Sequence, residues 1–548
     1  MVKSLLVFGL IIQSCAWASN ITNSSEKYVR NIDSSNPNQI KIDVSKTGRT
    51  LPVDFYGSHL DAQSEIPAAQ YFNELNVSKI RIGGNEYDVF NPESNLAITN
   101  SRGLIKLKGF DEIAQKLNSH NVKGIFQINL LGYQPELVGS DYVLKRTFDA
   151  QAATRLIKEL NGAKKLGIKD FSLGNEFAQW HETHNHIWGS EDGISADEYI
   201  ERFISYAIAL RAGQEAVNGD PNSIKIWGPE ISVSWLDWNT GNFANDCEWS
   251  DTPGQVNCHY DNGRFTHFIP YFLSKLKNAE KNAAINPKGY KLLDYFAFHY
   301  YPNFRTKISD INSIVTDSSG KQWVAGILEA TRVLNDDTYI NKIDLSSFKN
   351  SSPNILNRMS NWVKDNYPTA KLAINEFALD SDYRTTNYHP IIRPLYLADV
   401  VGIVSGFDIS YFNHFVFNSP EGVDLPWAML KGGKIKTDNF MMYKLLSNNF
   451  KGTVVEAKDS LGDIVNAYAT LDGDMIDVLV VNKEPVAKRI EIEILNGRNS
   501  KGVSHVFPAW SVSVLKLHRN TGLFTKTYEY FQLGAKEMGI QVDTSYSK

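Results

Sequence analysis

Along most of the chain, short apolar runs alternate with longer amphipathic ones. The short runs are rich in β-branched and aromatic residues. They fall at 53–60, 77–85, 122–131, 168–176, 223–232, 292–301, 371–380 and 409–417. Each is close to continuous rather than strictly alternating, as strands buried on both faces are. Helical patterns lie between them at 66–76, 109–119, 149–166, 264–284, 354–366, 391–405 and 438–449. Another helix begins at Ser195, where Ser195 and Asp197 can cap it and Tyr199, Phe203, Tyr206 and Ala207 form one stripe. Eight strands, each followed by a helix, predict an α/β fold closed into a (β/α)8 TIM barrel. The alternative is a doubly wound open sheet. No glycine-rich phosphate fingerprint follows the first strand, which weakens the nucleotide-binding form of that fold.

Past residue 450 the pattern changes. Val- and Ile-rich runs at 451–457, 462–470, 474–482, 488–495, 503–507 and 510–517 are separated by turns such as Asp472-Gly473. They predict an accessory all-β sandwich. The run 38–45 precedes the barrel and is suited to add a strand to that sheet. At the other end, Lys3, the apolar run Leu5 to Ile12 and Ala16-Trp17-Ala18 read as a signal peptide cut after Ala18. A lipoprotein signal ending at Cys15 is the alternative. The expected organisation is therefore a signal peptide over 1–18, an N-terminal segment contributing to the sandwich over 19–52, the barrel over 53–450 and the sandwich over 451–517. The tail 518–548 has no assignment. Long insertions occupy 233–263 and 302–353, the first expected to form a loop on the active face.

Composition narrows the function. With 56 basic and 61 acidic residues the net charge is -5, so neither nucleic acid nor an anionic membrane surface is an expected partner. No apolar stretch after the signal is long enough to span a membrane, and a secreted, monomeric protein is expected. Cleavage leaves only Cys247 and Cys258, read as one disulfide closing a short loop; a reactive or metal-binding thiol pair is the alternative. The Asn-x-Ser/Thr sites at Asn20, Asn23, Asn76 and Asn350 mark glycosylation only if the source glycosylates.

Chemistry in a barrel sits at the C-terminal ends of its strands. The fourth strand ends Gly174-Asn175-Glu176, and the seventh ends Asn375-Glu376-Phe377. Two carboxylates facing a cleft are what acetal hydrolysis needs: one protonated to donate to the leaving oxygen, one ionised to attack or to stabilise an oxocarbenium-like centre. A lone glutamate at a strand end is usually an ion-pair partner; two of them on strands across a barrel mouth favour catalysis. Asn175 is placed to hydrogen-bond a sugar hydroxyl. Trp180 and His184 follow Glu176; His299, Tyr300 and Tyr301 end strand six; Phe412, Asn413 and His414 lie on strand eight, with Trp427 beyond it. Such aromatic and polar groups suit a sugar cleft, although each could equally be core or rim. His181-Glu182-Thr183-His184-Asn185-His186 lacks the zincin spacing, so no metal site is assigned to it.

The chain resembles glycoside hydrolase family 44, within the clan of (β/α)8 retaining glycosidases. The resemblance is carried by Arg81-Ile82-Gly83-Gly84-Asn85, by Phe171 to Glu176 continuing to Trp180 and Thr183-His184, and by Trp227-Gly228-Pro229. It continues in the helix Phe268 to Ala279, in Leu293-Asp294 with His299-Tyr300-Tyr301-Pro302, and in Ala373-Ile374-Asn375-Glu376-Phe377. It implies a retaining endo-β-1,4-glucanase or xyloglucanase acting on a β-linked polysaccharide or oligosaccharide, with Glu176 as acid/base and Glu376 as nucleophile. Substrate contacts are then expected from Arg81, Asn85, Asn175, Trp180, His184, His299, Tyr300, Tyr301 and Trp427. No cofactor is required; a structural calcium or zinc ion is left open but not predicted. Two departures stand out: Gly174 where the family usually has Asp, and Phe177 where it usually has Pro. Another activity of the clan (xylosidase, arabinofuranosidase or heparanase-like glucuronidase) and a non-catalytic glycan-binding protein are the alternatives.

Overall fold

The structure is a computed structural model and describes residues 38–188, 194–232, 247–249, 256–258, 264–265, 267–302, 327–339, 354–379, 391–533 and 537–542. Residues 1–37, which include the expected signal peptide, and most of both insertions lie outside these. Eight parallel strands close into a barrel in sequence order: Tyr56–Asp61, Lys79–Gly83, Lys123–Ile128, Asp170–Leu173, Lys225–Ser232, Tyr295–Tyr300, Lys371–Phe377 and Ile409–His414. They are strands one to eight below. Seven fall within the apolar runs expected to form them, and the first passes the end of its run by one residue, Asp61. The Ser195 cap is also present, its hydroxyl accepting from the Glu198 N–H at 3.1 Å.

Side chains alternate across a strand, so residues two apart share the barrel interior. In the lower layer Ile125, Trp227, Ala297, Ala373 and Tyr411 pack together. Buried Lys79 lies there, 3.6 Å from Asp170 and 5.3 Å from the centre of the Trp227 ring, while the Trp227 indole donates to Asp170 at 2.9 Å. Two residues further along the same strands come Arg81, Gln127, Ser172, His299, Asn375 and Asn413, all with 0% exposure. The lower layer is thus an aromatic floor, and the upper layer is a wholly polar stratum under the strand ends.

The C-terminal region forms the expected accessory all-β domain, its strands hydrogen-bonded into one continuous nine-stranded sheet. Its order is 499–507, 488–496, 38–50, 453–459, 465–472, 475–482, 511–518, 524–533, 537–542. The expected contribution of 38–45 is present. Asn38–Thr50 pairs parallel with Lys488–Asn496 and antiparallel with Thr453–Asp459. The unassigned tail supplies the last two strands; their mixed polar sequence suits the edge of a sheet better than its middle. One face of the sheet closes over its own core, including Ile40, Ile42, Val478, Val480, Ile492 and Leu515. The other face contributes Leu479, Val481, Val512 and Val514 to the core of the barrel.

The helix Ile392–Ser405 lies between barrel and sheet, and all of its residues are buried. That explains its largely apolar sequence, because a helix covered on every side has no polar face to present. Its one carboxylate, Asp399, is fully buried and ties the two parts together. It pairs with Lys483 of the sheet at 2.6 Å, accepts from Asn466 at 2.7 Å and Tyr468 at 2.8 Å, and accepts from Thr331. No helix among the described residues is long and apolar enough to cross a membrane.

Two predictions follow from this packing. Asp399→Ala strands the Lys483 ammonium in the interface, so it should cost about 3–5 kcal/mol of stability, read as a lower urea midpoint. Cys247 and Cys258 stand directly opposite one another in the antiparallel ribbon 247–249/256–258. A cross-strand spacing of about 4.5–5.5 Å between Cα atoms is within disulfide reach. Mass spectrometry of the protein produced in an oxidising compartment should show both thiols alkylated only after reduction.

Candidate active site

Arg81 is the centre of the polar stratum. It leaves strand two fully buried and donates to Glu376 on strand seven, to Asn175 Oδ1 at 2.9 Å and to Gln127 Oε1 at 3.2 Å. Its Nε lies 3.6 Å from Glu230 on strand five. A Cβ on Gly83 would sit 2.6 Å from Gln127 Oε1 and 2.8 Å from the Arg81 guanidinium carbon, so the strand exit must be glycine for the guanidinium to lie there. Glu376 also accepts from Tyr301. Burial raises the pKa of Glu376 and the Glu176 charge adds to that. His299 and Arg81 pull it back, and the net direction is upward.

Glu176 follows strand four in a left-handed conformation, φ 42°. Such a conformation costs a non-glycine residue about 1 kcal/mol or more and is found mostly where function requires it. Gly174, with φ 76°, makes the turn that permits it, which accounts for the missing Asp at this position. Phe177, the second departure, is buried and stacks on Tyr199 at 3.9 Å between ring centres. The Glu176 carboxylate is half-buried and hydrogen-bonded to His299 Nδ1 at 2.9 Å. Single ligand-type atoms of Glu176, His299 and Glu376 all lie within 4.8 Å of one another. This is the one such group among the described residues. Two carboxylates and an imidazole are donors of the right kind for a divalent cation, but Arg81 already holds a full positive charge against Glu376.

The residue that sequence reasoning passed over is Glu230. It follows Trp227-Gly228-Pro229 at the end of strand five, fully buried, with φ 57°. Both of its oxygens accept from Asn375 Nδ2 at 2.9 Å, and His299 Nε2 meets it at 3.1 Å. Its backbone carbonyl accepts the Glu176 N–H at 2.9 Å. Burial works to raise its pKa, but Arg81, His299 and Asn375 outweigh burial and lower it. The signal was present in the sequence: a glutamate inside an otherwise continuous apolar strand. His299 is pushed up to about 9, because burial, which lowers it, is overcome by Glu376, Glu176 and Glu230.

Three residues expected to touch substrate do not reach the cleft. Trp180 is 0% exposed; its indole N–H donates to Asn175 O at 2.7 Å and Asp88 Oδ2 at 3.0 Å. His184 is 2% exposed and faces Asp88 at 3.4 Å. Tyr300 is 1% exposed, with its hydroxyl on that of Tyr396 at 3.0 Å. All three are supports, because side chains with no accessible surface cannot stack on a sugar. Arg81 and His299 are also closed off and act on the carboxylates. Asn85 is exposed and accepts from Asn175 at 2.9 Å. Asn175, Tyr301 and Trp427 keep a small exposed edge. Phe415, unremarked in the sequence, is half-buried 5.7 Å from the Tyr301 ring. His186 meets the Ile98 carbonyl at 3.2 Å, so His184 and His186 face separate partners; the side chains of His181 and Glu182 lie outside the described residues.

A sequence-ordered parallel barrel joined to a β-sheet domain is an architecture this chain shares with solved glycoside hydrolases. The model of glycoside hydrolase family 44 matches residues 128–304. Endoglucanase A of Paenibacillus lautus is 27% identical over 327 residues, which cover 59% of this chain and 40% of that protein. Beta-mannanase/endoglucanase A of Caldicellulosiruptor saccharolyticus is 26% identical over 255 residues, 45% of this chain and 17% of that one. The chain thus spans less than half the length of these relatives. A family 44 xyloglucanase of Paenibacillus polymyxa, solved with xyloglucan, superposes with a TM-score of 0.62 at 18% identity, covering 87% of this chain and 98% of that one. The chain is thus similar to glycoside hydrolase family 44 in sequence over residues 128–304, and in fold over most of its length.

The buried histidines give this region a pH signature. Burial pushes His184 and His414 down to about 3. Both stay neutral in the folded protein while the unfolded chain takes up protons below its ordinary histidine pKa of about 6.5. Their contribution is therefore complete above that pH and is lost as pH falls toward 3. Each adds up to about 1.4 kcal/mol per pH unit to the slope in that window. Urea denaturation from pH 7 to 4 should show that slope reduced by this amount in His414→Gln.

Proposed function

We propose that the protein is a secreted, monomeric, retaining endo-β-1,4-glycanase of the glucanase or xyloglucanase type. The observation that carries this reading is the pair of glutamates at the ends of strands four and seven, with carboxylate oxygens within 4.8 Å of one another. Carboxyl groups about 5–5.5 Å apart leave no room for a water between nucleophile and sugar and favour retention, whereas inversion uses about 6.5–9.5 Å. The relatives named endoglucanase and xyloglucanase support a β-glucan substrate.

In this mechanism Glu376, ionised and oriented by Arg81 and Tyr301, attacks the anomeric carbon. Glu176 gives its proton to the departing glycosidic oxygen. A glycosyl ester on Glu376 forms; Glu176 then takes a proton from water, whose hydroxide displaces Glu376 and restores the original configuration. Asn175 and Asn85 line the sugar site beside Glu176. Trp427, clustered with Tyr301 and Phe415, offers the small exposed part of its ring to a sugar face.

Incubation with xyloglucan, mixed-linkage β-glucan, carboxymethyl cellulose, xylan and mannan tests the reading. Oligosaccharides of several lengths should appear early, with β-configured reducing ends seen first by NMR. Monosaccharide alone, or α-configured product, would refute endo action or retention. Glu376→Gln should lose roughly 1,000-fold or more in kcat while remaining folded by circular dichroism. A wild-type rate in that variant would remove Glu376 from the chemistry.

A further inference from the structure

The proposed mechanism needs two carboxylates, and three face His299 among the described residues. Glu230 has no exposed surface, so it cannot contact substrate. Its surroundings show what it acts on. Its oxygens receive the Asn375 amide at 2.9 Å, Arg81 Nε lies 3.6 Å away, and His299 Nε2 lies 3.1 Å away. Surrounded by donors and one full cation, Glu230 is ionised. An ionised carboxylate only accepts, so Nε2 of His299 must carry a hydrogen. That leaves Nδ1 as the variable atom, and Nδ1 is 2.9 Å from Glu176 Oε1.

We propose that Glu230 is a positioning residue: it fixes the Nε2–H form of His299, so that Nδ1 and Glu176 hold the catalytic proton between them. The proposal rests on the glycosidase reading for the word catalytic, but its proton arrangement is independent of substrate. In the resting protein one proton occupies the Glu176–His299 hydrogen bond. It sits either on Glu176 with Nδ1 accepting, or on Nδ1 with the Glu176 carboxylate accepting. In the first half-reaction that proton passes from Glu176 to the leaving glycosidic oxygen while the C–O bond breaks and Glu376 forms the new bond. In the second half-reaction a water proton returns to the pair, and the remaining hydroxide joins the anomeric carbon as Glu376 leaves. Nothing else is consumed.

The groups that face His299 are consistent with this role. Glu176, Glu230 and Glu376 approach it from strands four, five and seven, at 2.9, 3.1 and 3.5 Å. Against these stand Arg81 from strand two and His59 from strand one, and Tyr301 lies on the segment following strand six. His59 is held neutral by burial and by Arg81. Three carboxylates oppose one guanidinium, so the imidazole ring is where an extra positive charge is best accommodated. The direction of its pKa agrees.

Glu230→Gln keeps the shape and removes the charge. The proton shared by Glu176 and His299 is then held less tightly, so the basic limb of kcat/KM against pH should move to lower pH by about one unit or more. With carboxymethyl cellulose, kcat should fall while KM stays within about twofold. Glu230→Asp, which restores the charge, should bring the limb back toward wild type. A limb that does not move in a folded Glu230→Gln protein overturns the proposal, because a merely structural residue lowers stability without shifting it. If that variant does not fold, 15N-histidine NMR of the wild-type chain decides, with the His299 signal assigned by its loss in His299→Asn. The expected result is a ring that titrates above pH 8 and becomes the Nε2–H tautomer. A ring that titrates near 6.5, or an Nδ1–H tautomer, overturns it. An expected NMR result without hydrolysis of any glycan tested would leave the proton arrangement standing and sink the proposed function instead.

Discussion

A guanidinium with no access to water is the constraint around which the rest of the barrel is arranged. An unpaired charge taken out of water costs several kcal/mol even after relaxation, so Arg81 has to be surrounded by acceptors. Those acceptors arrive from four strands: Gln127 from strand three, Asn175 just past strand four, Glu230 from strand five and Glu376 from strand seven. None is a neighbour in sequence. Barrel closure brings them together, and Gly83 leaves the space in which the guanidinium sits. The same cation makes it possible to bury two further carboxylates, which is how the mouth carries more acid than a two-glutamate reaction uses.

Beneath and around this stratum the structure is conservative. The aromatic floor of Trp227, Tyr295 and Tyr411 closes the lower barrel, with Lys79 and Asp170 as its buried ion pair. Trp180, His184 and Tyr300 form a second layer that fixes Asp88, Asn175 and Phe377 from behind. Outside the barrel, the helix Ile392–Ser405 serves two cores at once, and Asp399 is the polar contact that sets how the sheet sits on it. The nine-stranded sheet draws strands from both ends of the chain, so the barrel is held between the chain's two ends.

Much of this was legible in the sequence because burial leaves a one-dimensional trace. Parallel strands covered on both faces must be apolar along their length, so all eight could be read directly. The Ser195 cap and the strand 38–45 were visible for equally local reasons. The tail strands Phe524–Leu533 and Glu537–Val542 were not, since edge strands need no continuous apolar run and Lys526, Thr527 and Glu529 disguise the first of them. Trp180, His184 and Tyr300 were misplaced because an aromatic or imidazole residue has the same letter whether it lines a cleft or supports one. Glu230 was overlooked although a glutamate within an apolar strand is itself a signal.

By itself, then, the sequence determined the barrel, the added sheet and the two strand-end glutamates, because periodicity and strand position are properties of the chain. Only the tertiary structure decided which polar groups meet. The distance between Glu176 and Glu376, the three carboxylates around His299 and the closure of Arg81 from solvent depend on residues 46 to 295 positions apart. Their charges are stabilised only when all are in place together. That coupling is a property of the closed barrel and has no counterpart in any single segment.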